Sequence, residues 1–392
     1  MNINGTFANN ILTIALEGNI DSVTAPEAEE RVMALRREYP EGEVVLDAEK
    51  LNYISSSGLR VILKLRKMEG ALKMVNVSSE VYEVLDITGF VDLLEVSRAM
   101  RTVSVEGCEV LGQGSRGKVV RLDEDTIVKL FLHDGGLEEA KEEQSYARKA
   151  FVMGVPTAIP YDIVKCEGHY GLVFELVDTR TVAGYVCKHP EKLEQTADRF
   201  AELLKTLHTT HVPAGTLKST RELFGQYIDA LKPYLEEEEI RQLHRINDAI
   251  PEKDTVIHGD FHPNNVMVQG GEDLILIDMA DISCGNPLYD IASFFVGQYM
   301  TSKELREKML GMPVEMLDRF FPRYLDKYME DKTPEQREQF LAKAKVLMLL
   351  TFCVFLRYSW AASPMLVEKV QQIVRGQLLA DVEQIVALMA QE

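Results

Sequence analysis

The sequence predicts a small α/β domain followed by a larger α+β unit, whose first part is rich in strands and whose second part is helical. Residues 1–100 alternate short strand-like and amphipathic helical segments, which is typical of a sheet covered by helices. After Arg101 a glycine-rich segment opens a second run of strands, and helical patterns dominate from about Pro190 onward. We therefore predict three parts: residues 1–102, 105–178 and 179–392.

Individual elements are predicted from local patterns. Period-2 alternation and short apolar runs predict strands over residues 11–18, 43–48, 72–77, two within 119–131, 170–177, and a pair near 256 and 274. Helical periodicity with capping signals predicts helices over residues 25–39, 58–69, 80–86 and 138–153. The apolar run 346–356 is shorter than the roughly 20 residues of a membrane span, and it predicts a buried helix.

Composition narrows the class of protein. The net charge of −19 argues against general nucleic-acid binding, which requires cations that displace counterions from phosphates. Residues after 104 contain 32 Lys and Arg against 46 Asp and Glu. This excess either attracts a cationic substrate or forms a solvated surface, and both interpretations stay open. Five scattered cysteines without a Cys-x-x-Cys pair and an N-terminus without a signal-peptide pattern predict a cytoplasmic protein with no membrane segment.

The run from His258 to Asn265, His-Gly-Asp-Phe-His-Pro-Asn-Asn, is the strongest chemical signal. Asp260 precedes Asn265 by five positions, and Asp278 follows thirteen residues later at the end of an apolar strand. This spacing supplies one carboxylate to orient a hydroxyl, then an amide and a second carboxylate that could bind Mg²⁺. His258 is predicted to be a structural hydrogen bonder, and His262 is treated as a surface residue without a role.

A glycine pattern and a lysine strand precede this run. Gly112, Gly114 and Gly117 fit Gly-x-Gly-x-x-Gly-x-Val, which dinucleotide-binding turns and plain loops share. Here a strand follows the third glycine, and a strand with Lys129 follows that one, which favours a loop over ATP phosphates. A structural turn, and a solvent-facing Lys129, are the alternatives.

Together these motifs resemble the aminoglycoside phosphotransferase and choline kinase branch of the protein-kinase-like fold. The resemblance implies a bilobal fold and the cofactors ATP and Mg²⁺. It implies Asp260 as catalytic residue, Asn265 and Asp278 as metal ligands, and Lys129 as the phosphate contact. The family's spacing favours Glu143 as the partner of Lys129, with Glu142 second.

The same resemblance extends to the segment that joins the lobes and to a later helix. Residues 174–177 resemble the inter-lobe hinge, so Glu175 and Val177 would face the adenine with their backbone. Asp290 in Asn286-Pro-Leu-Tyr-Asp290 would cap a helix and organise the lobe. The short link from Asp278 to Asp290 disfavours a protein kinase, since it leaves no room for a long activation loop.

The first hundred residues are similar to the STAS domain of anti-sigma factor antagonists. The similarity is carried by Leu16-Glu-Gly-Asn-Ile-Asp21, Val44-Val-Leu-Asp47, Tyr53-Ile-Ser-Ser-Ser-Gly-Leu59 and Val81-Tyr-Glu-Val-Leu-Asp-Ile-Thr-Gly-Phe90. It implies a protein partner of the anti-sigma-factor type and makes Ser56 the phosphorylation candidate, although the family's usual preceding Asp is Ser55 here. Alternatively, these serines only cap a helix.

The sequence therefore predicts an ATP- and Mg²⁺-dependent phosphotransferase that acts on a hydroxyl of a small molecule, with a regulatory or partner-binding STAS domain. Two alternatives stay open. The kinase-like part could phosphorylate a protein, for example Ser56 of its own chain, or it could be a nucleotide-sensing interaction protein in an anti-sigma-factor network. Neither the acceptor nor the oligomeric state can be predicted.

Overall fold

The computed structural model describes residues 1–113, 117–177, 180–271, 273–358 and 362–391. The chain divides into two compact units, residues 1–103 and residues 104–392. Each unit has a hydrophobic core of its own. The units are therefore described one at a time.

The first unit is a five-stranded mixed sheet with three helices. Its strands are β1 (Asn2–Ala8), β2 (Ile11–Ile20), β3 (Glu43–Ile54), β4 (Lys73–Val77) and β5 (Glu95–Arg98), and its helices are α1 (Ala25–Glu38), α2 (Ser56–Glu69) and α3 (Ser79–Ile87). The strands lie in chain order, and only the β1–β2 pair is antiparallel. The predicted α/β fold of this region is confirmed.

The sequence patterns missed the two edge strands, β1 and β5. Only Ile3 is buried on β1, and no residue is fully buried on β5, so neither strand carries the apolar alternation that reveals a half-buried strand. The pattern is clear on β2, where Leu12, Ile14 and Leu16 alternate into the core. Burial on one face of the sheet, rather than strand propensity, therefore decided which strands could be predicted.

Helix α2 begins two residues before its predicted start, because Ser55 is its N-cap. The Ser55 hydroxyl accepts the N–H groups of Ser57 at 3.2 Å and Gly58 at 3.4 Å. Ser56 is exposed, at the first position of the helix. Gly58 packs so closely that a Cβ there would lie 2.7 Å from Ile54 and 2.8 Å from Ile20. Ser55 therefore caps the helix, and the candidate for phosphorylation is a different residue, Ser56.

The second unit begins with an antiparallel sheet and one helix. The strands are β6 (Val110–Gln113), β7 (Gly117–Arg121), β8 (Thr126–Phe131), β9 (Pro160–Cys166) and β10 (His169–Glu175), in the order β6-β7-β8-β10-β9, and the helix is α4 (Gly136–Val152). The predicted pair of strands around the turn at Asp123 is present as β7 and β8.

The remainder of this unit is helical, with two small antiparallel strand pairs. The pairs are β11 (Thr255–Ile257) with β14 (Ser283–Gly285), and β12 (Val266–Gln269) with β13 (Asp273–Leu276). The helices are α5 (Val182–Lys188), α6 (Leu193–Thr209), α7 (Thr220–Asp229), α8 (Glu237–Asp248), α9 (Leu288–Tyr299), α10 (Lys303–Leu310), α11 (Val314–Tyr328), α12 (Pro334–Cys353), α13 (Pro364–Ile373) and α14 (Val382–Met389). A strand-rich lobe followed by a helical lobe is the predicted fold class, and it is confirmed.

Backbone hydrogen bonds join the two lobes next to β13. The N–H of Leu276 donates to Pro156 O at 2.8 Å, and the N–H of Ala158 donates to Leu276 O at 3.1 Å. The segment that follows α4 thus pairs with the strand that leads to Asp278. The lobes are held together beside the residues predicted to bind metal.

The apolar run predicted as a buried helix lies in α12 and the short 3₁₀ turn that follows it. Together they span Pro334–Arg357, and by length and composition this is the one helix in the described part of the chain that could cross a membrane. Of its most apolar stretch, 56% is buried within the protein. Leu347, Leu350 and Cys353 are fully buried in the core of the helical lobe.

The capping arrangement at α2 makes a testable distinction. We expect Ser55→Ala to destabilise the start of α2 by about 0.5–2 kcal/mol, because it removes the acceptor for two backbone N–H groups. Ser56→Ala, which leaves the cap in place, is the matched control. Hydrogen exchange of the α2 amides in the full chain measures the difference, and equal exchange in the two variants would contradict the assignment.

Candidate active site

The loop from His258 to Asp260 leaves β11 through a glycine that no other residue could replace without strain. Gly259 has φ +84°, a left-handed conformation that L side chains rarely adopt. A Cβ at this position would lie 2.6 Å from Asp281 O. The second position of His-Gly-Asp is therefore fixed by the close approach of the segment after Asp278.

A buried carboxylate, that of Asp290, holds this loop through hydrogen bonds to its backbone. Asp290 is fully buried and accepts the N–H of His258 at 2.9 Å and the N–H of Gly259 at 2.7 Å. His208 Nε2 lies 3.1 Å from the same carboxylate, and His208 Nδ1 lies 2.7 Å from the Tyr328 hydroxyl. The expectation that Asp290 caps α9 is wrong: that helix has Pro287 at its N-cap position and no side-chain cap. Asp290 instead organises the loop.

The imidazole of His258 completes the turn. Its Nδ1 accepts the N–H of Asp260 at 3.3 Å, and its Nε2 lies 3.2 Å from Ile277 O. A ring that accepts at Nδ1 and donates from Nε2 satisfies both contacts. These contacts fit the structural role predicted for His258.

The carboxylate of Asp260 is held on one of its two oxygens. The Asn265 amide Nδ2 donates to Asp260 O and to Asp260 Oδ2, both at 3.0 Å. His262 Nε2 lies 3.5 Å from the same Oδ2, and its Nδ1 accepts the N–H of Asn264 at 3.2 Å. His262 was treated as a surface residue, but its side chain is only 20% exposed and faces the carboxylate. The sequence alone does not predict this contact.

The Asp260 carboxyl ionises unusually easily. Burial raises its pKa, but the imidazoles of His262 and His258 and the amide of Asn265 outweigh burial and lower the pKa to about 2. At neutral pH the group is therefore an anion with hydrogen-bond acceptor capacity only.

Asp278 follows β13 in a strained backbone conformation. Its φ of 60° and ψ of 66° place a non-glycine residue in the left-handed region. The N–H of Ile277 donates to Asn265 O at 3.0 Å, which places Asp278 directly after a residue hydrogen-bonded to Asn265. The hairpin of β12 and β13 therefore brings the predicted metal ligands to its same end.

Lys129 connects the strand-rich lobe to this end of the hairpin. Its Nζ lies 2.8 Å from both carboxylate oxygens of Glu143 on α4, and 2.9 Å from Asp278 Oδ1. The structure thus pairs Lys129 with Glu143, the first of the two predicted partners. Burial lowers the pKa of Lys129, but the carboxylates of Asp278 and Glu143 outweigh it, so the pKa is raised and the amine stays charged.

Glu142, the second predicted partner of Lys129, turns to the helical lobe instead. It forms an ion pair with Lys218 and accepts the Tyr146 hydroxyl at 3.1 Å. The backbone of Lys218 is fixed by the N–H of Cys284, which donates to Lys218 O at 2.8 Å. Lys218 carried no sequence signal, because its role depends on a contact across the lobes.

The glycines of the predicted phosphate loop differ in what requires them. A Cβ at Gly112 would meet nothing within 4 Å, whereas one at Gly117 would lie 1.8 Å from Leu130 O on the neighbouring strand. Gly117 is therefore required by the packing of β7 on β8, independently of any ligand. Gly114 lies outside the described residues.

The predicted hinge follows β10, which ends at Glu175. The Glu175 carboxylate accepts the N–H of Ile159 at 2.8 Å, and the N–H of Leu176 donates to Asp125 O at 2.7 Å. The N–H of Val177 donates to no group in the described ranges. Val177 thus offers a backbone donor, while the Glu175 side chain is occupied.

The donor atoms fit Mg²⁺ and nucleotide phosphates. The Asn265 Nδ2 donates to Asp260, so the side-chain oxygen of Asn265 is the atom suited to a hard cation. Asp278 adds a carboxylate. No group of three or more His, Cys, Asp or Glu residues within the described ranges could hold a metal by itself. Two oxygen ligands complemented by phosphates and water are the usual arrangement for Mg²⁺.

Comparisons with known proteins show the family of each part of the chain. The sequence model of the Phosphotransferase enzyme family matches residues 107–338, more than half of the chain, and that of the STAS domain matches residues 2–103. The chain therefore belongs to the phosphotransferase enzyme family and carries an N-terminal STAS domain. The predicted fusion is confirmed.

Individual relatives match each part. BtrV of Bordetella bronchiseptica, named as an anti-sigma factor antagonist, is 36% identical over 93 residues, which are 23% of this chain and 79% of that protein. The anti-sigma-B factor antagonist of Bacillus subtilis is 29% identical over 92 residues, 22% of this chain and 83% of that one. An ADP-bound aminoglycoside phosphotransferase structure is 18% identical with a TM-score of 0.46, covering 80% of this chain and 98% of its own. The choline kinase LicA of Streptococcus pneumoniae is 17% identical with a TM-score of 0.42, covering 72% and 95%.

The contact of Gly259 with Asp281 predicts a large effect of one methyl group. Gly259→Ala meets both the left-handed backbone and the Asp281 oxygen, whereas Gly271→Ala, with φ +82° and nothing within 4 Å of its Cβ, meets the backbone penalty alone. We expect Gly271→Ala to cost about 1 kcal/mol in unfolding free energy and Gly259→Ala roughly 1–3 kcal/mol more. Urea unfolding measures both, and equal losses would refute the steric argument.

The low pKa of Asp260 predicts a pH-dependent contribution to stability. An unfolded Asp has a pKa of about 3.9, so a lower folded-state pKa means that the carboxylate stabilises the fold above about pH 4 and loses this effect as the pH falls toward 2. We expect the difference in unfolding free energy between the protein and Asp260→Asn to be smaller at about pH 3 than at about pH 5. Chemical denaturation at both pH values tests this, and an unchanged or increasing difference would be inconsistent with it.

Proposed function

We propose that this protein transfers the γ-phosphoryl group of ATP, with Mg²⁺, to a hydroxyl of a small molecule. The observation that carries the proposal is the connection of Asp260, Asn265, Asp278 and Lys129 through hydrogen bonds of 2.9–3.0 Å at one end of a hairpin. Phosphoryl transfer depends chiefly on positioning and charge neutralisation, and this set supplies both.

Asp260 orients the attacking hydroxyl. With Oδ2 held by Asn265 and approached by His262, Oδ1 has no partner in the described part of the chain and is the oxygen that receives the substrate O–H. An ionised carboxylate fixed in this way accepts the hydroxyl hydrogen bond and then its proton, while the hydroxyl oxygen forms the new bond to phosphorus.

Lys129 and the metal ligands act on the nucleotide. Lys129, which Glu143 holds in place, contacts the phosphates, and the backbone near Gly112, Gly114 and Gly117 covers them. Asn265 and Asp278 hold Mg²⁺, which supplies charge neutralisation on the phosphate oxygens. The backbone of Glu175 and Val177 faces the adenine.

The STAS domain regulates or localises the enzyme through a protein partner, and the protein itself is cytoplasmic. Ser56 is the phosphorylation candidate, because its hydroxyl is exposed at a helix N-terminus that Ser55 already caps. Exposed N–H groups and the helix dipole favour a phosphate there. Neither nucleic acid nor a membrane has a part in the proposed function.

The test is ADP release from Mg·ATP in the presence of pooled hydroxylated small molecules. We expect a pool to stimulate release, and Asp260→Asn to lower the stimulated rate by roughly 10²–10⁴-fold, because the orienting and proton-accepting carboxylate is lost. Asp254→Asn, which changes an exposed carboxylate outside the site, is the matched control.

Three other outcomes would count against the proposal. Full turnover by Asp260→Asn would remove the mechanism. If no pool stimulates release but intact-mass analysis finds an ATP-dependent phosphate adduct on the chain, then the acceptor is a protein hydroxyl, and Ser56→Ala tests which one. ATP binding without transfer to any acceptor would instead indicate a nucleotide sensor.

A further inference from the structure

An arginine lies between two tyrosine rings at the end of α12. Arg357 Cζ is 4.2 Å from the ring centroid of Tyr227 on α7 and 4.2 Å from that of Tyr358. Its Nη1 donates to Val354 O at 2.9 Å, and its Nη2 donates to the Tyr358 hydroxyl at 2.7 Å. These bonds use two of the five guanidinium N–H groups. The two hydrogen bonds and the two ring contacts restrict the guanidinium, and its other N–H groups remain as donors for a ligand.

Arg357 differs from most arginines of the same unit in the charges around it. No carboxylate in the described ranges pairs with Arg357, although the chain has a net charge of −19. Carboxylate partners are common among the other arginines of the same unit. Nine arginines have one: Arg121, Arg221, Arg241, Arg245, Arg306, Arg319, Arg323, Arg337 and Arg375. Arg357 is a half-buried cation whose counter-ion the described residues do not supply.

Aromatic contacts connect this cluster to the residue that holds the His258 loop. The ring centroid of Phe224 lies 5.6 Å from that of Tyr227 and 4.6 Å from that of Tyr289. Tyr289 directly precedes Asp290, whose carboxylate accepts two backbone N–H groups of the loop. Two ring contacts therefore separate Tyr227 from the neighbour of Asp290.

We propose that Arg357, which contacts the rings of Tyr227 and Tyr358, is an anion subsite for the acceptor. The small molecule then carries a carboxylate or phosphate group in addition to the hydroxyl that is phosphorylated. A guanidinium recognises such planar or tetrahedral oxyanions with two parallel N–H···O bonds. The identification of the bound molecule as the acceptor rests on the proposed function. Binding of an anion at Arg357 does not depend on turnover.

The first measurement detects the anion without turnover. The chain has one tryptophan, Trp360, three residues after Arg357 in the sequence, and its emission is the signal followed. With saturating Mg·ADP added to occupy the nucleotide site, inorganic phosphate is titrated into the full chain. We expect a saturable change in emission, weaker in Arg357→Lys, which keeps the charge but not the planar fork, and absent in Arg357→Gln. Equal titrations of the native chain and Arg357→Gln, or no change in the native chain, would overturn the subsite.

The second measurement sorts acceptors by charge. ADP release is followed with three separate pools: neutral polyols, cationic amino alcohols, and hydroxy acids with sugar phosphates. We expect the anionic pool to stimulate release, and Arg357→Gln to raise KM about ten- to a hundredfold with a smaller change in kcat. Arg319→Gln, which changes an exposed arginine 3.7 Å from Glu194, is the control. Stimulation by a neutral or cationic pool that Arg357→Gln leaves unchanged would overturn the proposal.

The two measurements separate the inference from the proposed function. Phosphate binding that depends on Arg357, without stimulation by any pool, supports the subsite and rejects the small-molecule phosphotransferase. Turnover that is independent of Arg357 supports the small-molecule phosphotransferase and rejects the subsite. Circular dichroism melting of each variant identifies any that misfold, and Arg357→Lys then carries the comparison, since it preserves the charge.

Discussion

The Asp290 carboxylate is the contact on which the rest of the site depends. It is buried, it accepts two successive backbone N–H groups of the catalytic loop, and His208 contacts it from α6. An ionised carboxylate out of water is costly unless such donors surround it, so the loop and the carboxylate stabilise each other. The position of the loop that leads to Asp260 thus depends on a residue thirty positions further along the chain.

Much of the site could be predicted, because its chemistry depends on residue types at fixed spacing. The Asp260 to Asn265 interval, Asp278 at a strand end and Lys129 within a strand all lie in short segments of the sequence. What could not be predicted depends on contacts between segments. The contact of Gly259 with Asp281, the approach of His262 to Asp260 and the left-handed backbone of Asp278 appear only when β11 to β14 are assembled. The fold shows the same division, since the half-buried strands had a readable period and the edge strands β1 and β5 had none.

Lys129 forms ion pairs with carboxylates in both lobes. It contacts Glu143 on α4 and Asp278 after β13, while Pro156 and Ala158 add backbone bonds to the same strand. Since α4 is also tied to Lys218 through Glu142, the helix is held from the strand-rich lobe and the helical lobe at once. Eleven residues lie between Asp278 and Asp290, so the sequence has no long segment between these two parts of the site. The regulatory role proposed above for the STAS domain does not require such a segment.

Ser55 caps helix α2, whereas Ser56 is the candidate for phosphorylation, and this difference matters for how the STAS domain could be modified. Ser55 already satisfies the first N–H groups of α2, so a covalent change at Ser56 would alter the charge of the surface while leaving the helix intact. The phosphate proposed above for Ser56 would then change the charge that the domain presents to a partner without removing the cap of α2.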